Sequence, residues 1–136
     1  MTIASIRQAI EGASDYFAHN PAAALSTDKA AVAVVEEGLR CRADGPDGAV
    51  LISDMPKGVG GNASAPTPGW FMRAALANCD ATVIAMPAAQ LGVVLSRLEV
   101  AVDSQSDDRG LFDLGSNVPA GPLSLHVRVR IAADGR

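Results

Sequence analysis

Cysteine and histidine occur only twice each in this chain, and tryptophan and tyrosine once each. Cys41 and Cys79 have no metal-ligand spacing, and His19 and His126 are too isolated to complete a zinc set, so neither a metal nor another cofactor is expected. Two cysteines also suit a reduced compartment. A block rich in Lys and Arg is missing too. Eleven basic against fifteen acidic residues leave a formal net charge of −4, so nothing attracts a phosphate backbone or an anionic membrane, and no nucleic-acid partner is expected. No apolar run approaches the ~20 residues of a membrane helix. Arg7, Glu11 and Asp15 interrupt the apolar residues of MTIASIRQAIEGASDYF, which excludes a signal-peptide core. These absences together predict a cytoplasmic protein with no membrane contact.

With 49% hydrophobic residues over 136 positions, the chain is rich enough in apolar side chains to form one domain with a core. Ile3, Ile6, Ile10, Ala13 and Phe17 recur at helical spacing and stop at the Asn20-Pro21 break, which predicts a packing helix over residues 2–18. A small-residue linker follows. The segment KAAVAVVEEGLRCRADGPDGAVLISDMP reads as two strands around the turn-forming residues Asp44 to Gly48, and GVGGNAS as a flexible polar approach to the next element. That element begins near Pro68 or Gly69, with Thr67 as N-cap, and runs to about Leu91. It would be roughly 35 Å long at ~1.5 Å per residue, and its apolar residues on nearly all sides predict a central, mostly buried helix. Pro87 predicts a kink or break near Met86. Two further strands are expected: Leu98, Val100 and Val102 alternate on one, and Leu123, Leu125, Val127, Val129 and Ile131 on the other. A loop-rich stretch joins them, in which Arg109 anchors a turn. His126, Arg128 and Arg130 form the polar face of the last strand. The fold class is α+β.

The combination of Gly60-Gly61, APTPGWFMRAALANCDAT, LGVVLSRLEVAVDS and DDRGLF resembles the OsmC/Ohr family of osmotically inducible and organic-hydroperoxide-resistance proteins. The resemblance covers about residues 30–136. It implies antiparallel strands packed around a long central helix, an intertwined homodimer, and thiol-dependent reduction of organic hydroperoxides. Residues 1–28 would then be an N-terminal helix and linker, and 29–136 an OsmC-like core without the family's C-terminal helix and strand. Cys79 matches the cysteine that attacks the peroxide, and Arg40 or Arg42 the arginine that assists it. Three features depart from the family pattern. Its glutamate falls on Gly69, its resolving cysteine has no counterpart before the chain stops at Arg136, and Asp80 stands directly after Cys79.

A thiolate is the nucleophile, and a guanidinium nearby favours it while apolar burial disfavours it, so this chemistry needs a cation. Strand alternation puts Arg40 and Arg42 on one face and Leu39, Cys41 and Ala43 on the other. Trp70 and Phe71 are candidates for an organic substrate pocket, or for packing and a dimer contact. Cys79 itself reads in two ways, as nucleophile or as a core residue. The first reading gives a thiol peroxidase that uses an external thiol reductant. The second gives a non-catalytic OsmC-like domain that binds an apolar ligand or partner. Without the later helix, a sheet edge and apolar surface would lie uncovered, and association into a homodimer is expected.

Overall fold

The structure, a computed structural model, describes residues 1–134. Its elements run α1 (Ile3–His19), β1 (Val32–Glu37), β2 (Arg40–Asp44), β3 (Val50–Ser53), α2 (Pro68–Gln90), β4 (Leu95–Ser106) and β5 (Pro122–Ala133), which makes an α+β chain. Contacts divide it into two compact units. One is continuous, Phe17–Met72, and the other joins Met1–Tyr16 to the chain from Arg73 onward.

The continuous unit holds an antiparallel sheet in the order β1-β2-β3. Three strands stand where the sequence predicts two. The missed reversal is the short Gly38-Leu39 turn, in which Gly38 takes φ 58°, a left-handed conformation that costs glycine nothing. The expected turn follows β2, where Gly45 N–H donates to the Ala49 carbonyl at 2.8 Å and Asp47 and Gly48 have φ of 57° and 78°. Register pairs Ala33 with Ala43 and Ala43 with Leu51, so small and aliphatic side chains share one face.

In the discontinuous unit, β4 and β5 form a long antiparallel pair with a bulge near each end. The expected alternation is present. Leu98 faces Ile131, Val100 faces Val129 and Val102 faces Val127, while on the opposite side Glu99 faces Arg130 and Asp103 faces His126. Ion pairs cross that polar side, Arg130–Glu99 at 3.5 Å and Arg128–Asp103 at 3.3 Å, and His126 Nδ1 lies 3.3 Å from the same Asp103 carboxylate. The linking stretch is the anticipated turn, with Arg109 Nε bonded to Asp107 at 2.9 Å. That hydrogen bond, above all, holds the Asp107 carboxyl down to about 2. Ile3, Ile6 and Ile10 are half-buried, and Ile3 and Ile6 line a 190 Å³ cavity with Ala85, Ala88, Ala89, Val93 and Leu95. The start of the N-terminal stripe therefore lies beside the last turns of α2, whereas Ala13 and Phe17, farther along it, are exposed.

One expectation for α2 is narrowed and another corrected: of the kink or break expected near Met86, the break is excluded. The helix runs through Pro87 to Gln90. Pro87 sits in the last turn, where only one interior bond is lost, and the Leu91, Gly92 and Val93 amides close the end on carbonyls at 2.9, 3.0 and 2.9 Å. Nor is the helix mostly buried. Ala89 is its only buried residue, and Trp70, Val83 and Met86 are 50%, 61% and 43% exposed. Apolar composition on all sides gave no measure of how much partner surface one chain supplies.

Candidate functional site

On β2 the predicted alternation places the two arginines apart from Cys41 and Ala43, which line a groove on the other face. Arg42 closes on its neighbour. Its Nε lies 3.2 Å from both carboxylate oxygens of Asp44 and its Nη2 3.1 Å from one. The hydrogen bond, and then the charge, of Asp44 raise the Arg42 pKa further. Arg40 is held differently, since Nη1 donates to the Ser64 hydroxyl at 2.8 Å and Nε lies 3.5 Å from Glu36. Among the described residues its Nη2 has no partner. Arg40 is thus the less neutralised of the two.

Ser64 belongs to a loop that the sequence presents as flexible and that the structure shows to be tied down. Asp54, 2% exposed, accepts from the amides of Met55 at 2.7 Å, Asn62 at 3.3 Å and Ser64 at 3.0 Å, and from the Ser64 hydroxyl at 2.7 Å. A buried carboxylate is tolerated when its lone pairs are filled in this way. The Ser64 amide first, and then its hydroxyl, hold the Asp54 carboxyl down to about 2. Backbone bonds from Gly61 to Pro56 at 3.1 Å and from Ala63 to Met55 at 3.0 Å brace the loop. Gly61 is obligatory there, since a Cβ would lie 1.9 Å from the Met55 carbonyl oxygen. The signal for this anchor was the Asp within ISDMP, a carboxylate directly after an apolar strand.

The Thr67 hydroxyl accepts from the Trp70 amide at 3.2 Å, so α2 starts at the predicted N-cap. Midway along α2, Cys79 is exposed. Ala75, Cys79, Thr82 and Met86 are all exposed and follow one another at four, three and four residues, which sets them in one stripe with Val83 beside it. Two of the polar side chains nearby, Asn78 and Thr82, are bonded to the helix itself. Asn78 Nδ2 donates to the Ala74 carbonyl at 2.8 Å and the Thr82 hydroxyl to that of Asn78 at 2.9 Å. Cys79 lies in the discontinuous unit, and Arg40, Arg42, Trp70 and Phe71 lie in the other.

Phe71 and Pro68 bound a groove of about 310 Å³ whose floor is Ala33, Cys41, Ala43, Leu51 and Ser53. Trp70 does not line it, but meets Phe71 edge to face with ring centroids 5.2 Å apart. The structure therefore brings Phe71 to Cys41 and Arg40 to Ser64. Among the described residues no cluster of three or more His, Cys, Asp or Glu side chains could hold a metal ion, and no helix is long and apolar enough to cross a membrane. Compared with models of known families and with curated proteins, the chain matches none.

Proposed function

We propose that this is an OsmC-like thiol peroxidase that reduces small organic hydroperoxides through Cys79. The accessible thiol midway along α2 carries the reading, because a core cysteine would be shielded by its own chain and this one is not. Apolar side chains a helical turn away, Ala75, Leu76 and Val83, suit an organic substrate. The Cys79 thiolate attacks the hydroxyl oxygen of the hydroperoxide, the O–O bond breaks, and the leaving alkoxide takes a proton from solvent to depart as the alcohol. Sulfur becomes a sulfenic acid, oxidised by the two electrons the peroxide gains. An external thiol then condenses with it, releasing water and forming a mixed disulfide, and a second thiol restores Cys79. In this proposal a β2 arginine stabilises the thiolate and the leaving oxygen. Arg40 is preferred to Arg42, which is closed on Asp44.

The working form in this proposal is a cytoplasmic homodimer. Leu123, Leu125, Val127, Val129 and Ile131 are 45–56% exposed along β5. A second copy covers this strand and leaves Cys79 open to substrate, and a monomeric mass by light scattering at low concentration would refute this part. The groove beside Cys41 favours a second reading, a non-catalytic domain that holds an apolar ligand.

The deciding experiment uses the Cys41→Ser variant, in which Cys79 is the sole thiol. Alkylation and dimedone trapping are measured after addition of cumene hydroperoxide. The peroxidase reading expects a trapped sulfenate, formed well above the rate of free cysteine. A thiol that resists both reagents until the protein unfolds sinks it and leaves the binding reading.

A further inference from the structure

We infer that Asp54 and Ser64 are positioning residues, acting on Arg40 through one directed hydrogen-bond chain that fixes where the guanidinium points. The inference rests on the reading of Arg40 as the cation of the thiol chemistry. Direction follows from the donor inventory. A guanidinium has no acceptor, an ionised carboxylate has no donor, and a serine hydroxyl has one proton. With Ser64 Oγ 2.7 Å from Asp54 Oδ2 and 2.8 Å from Arg40 Nη1, that proton goes to Asp54, and the oxygen is left to accept from Arg40. Each bond polarises the next, and both are charge-assisted.

The anchor is fixed and the relay is exposed. Asp54 is 2% exposed and bound by three amides, whereas Ser64 is exposed. Loop closure does not require the hydroxyl, since the Ser64 amide already reaches Asp54 Oδ2 at 3.0 Å. The hydroxyl is the part of Ser64 that serves Arg40. Glu36, 3.5 Å away on β1, steers Nε but leaves Nη1 without a second anchor. Arg42 has no comparable tie to a buried group, because Asp44 is exposed on its own strand.

The test compares the 136-residue chain in the Cys41→Ser background with Ser64→Ala, Ser64→Thr and Arg40→Gln added singly. Ser64→Ala keeps all three amide bonds to Asp54, so the loop remains closed. Side-chain NMR of Arg40 reads positioning directly, through slowed rotation of the guanidinium about Cζ–Nε. Slow rotation is expected in the parent, fast rotation in Ser64→Ala, and recovery in Ser64→Thr. The ratio of iodoacetate to iodoacetamide rates at Cys79 reads the cation, since accessibility moves both rates and local charge moves only their ratio. Arg40→Gln should lower the ratio severalfold, the scale by which one fewer positive charge near the thiol changes the approach of an anion in water. Ser64→Ala should cover most of that distance and Ser64→Thr reverse it. Unchanged Arg40 rotation in Ser64→Ala overturns the chain. Freed rotation with an unmoved ratio, where Arg40→Gln does move it, overturns its role in presenting the cation. If Arg40→Gln leaves the ratio alone, the thiol reading fails and takes this role with it, while the NMR result still separates that failure from a failure of the chain.

Discussion

Alanine at Gly61 should separate a close backbone approach from mere loop composition. The new Cβ would stand 1.9 Å from the Met55 oxygen, 2.4 Å from its carbonyl carbon and 2.8 Å from its Cα, all backbone atoms that cannot swing aside. Non-bonded carbon contacts settle at about 3.5–4 Å, so the two strands of the loop have to part. Parting them breaks the Gly61–Pro56 and Ala63–Met55 bonds at 3.1 and 3.0 Å, each worth about 1 kcal/mol, and residual overpacking adds to that. A loss of about 2–3 kcal/mol is expected. The control is Gly58→Ala, where an added Cβ meets nothing within 4 Å, with an expected change within about 0.5 kcal/mol. Urea unfolding followed by the fluorescence of Trp70, the sole tryptophan, reports on the unit that contains both sites. A Gly61→Ala midpoint that coincides with that of Gly58→Ala would refute the close-approach argument.

Two further outcomes follow from side chains already placed. Thr67→Ala should cost about 1 kcal/mol by leaving the Trp70 amide uncapped, and Thr67→Ser should restore most of it in the same urea assay. Asp54 has a folded pKa of about 2 against ~3.9 for an unfolded Asp, so its contribution is complete above the unfolded value and lost as pH falls through 2. Amide exchange at Asn62 and Ser64 should therefore accelerate between pH 4 and 2 in the native protein. An Asp54→Asn protein should show a flatter acid limb, and equal acid limbs would refute the assignment.

Elements governed by local periodicity were legible from the chain. The α1 stripe, the Thr67 cap and the β4–β5 alternation each appear where a period of 3.6 or 2 put them, because neighbours in sequence suffice to specify them. Gly38 was not legible as a turn, since one glycine inside a Val-rich and Glu-rich run competes with continued strand and only pairing with β2 decides. Burial of α2 failed for a related reason: apolar character shows what a helix can bury, not which surface one chain can offer. At the candidate site, sequence nominated Arg40 and Arg42 but could not rank them. Their ranking depends on Ser64, twenty-four residues from Arg40, and on Asp44, whose carboxylate closes on Arg42. Asp54 was passed over because an Asp directly after an apolar strand reads equally well as a turn residue, and the amides that fold back on it are what bury it.

The division of the chain has a consequence for its order of synthesis. Phe17–Met72 is one uninterrupted stretch, whereas Met1–Tyr16 makes its contacts with residues from Arg73 onward. On a ribosome the β1-β2-β3 meander can close as soon as it emerges. Ile3 and Ile6 have to wait until Ala85, Ala88 and Ala89 have been made. A helix made before the meander is thus placed only after it.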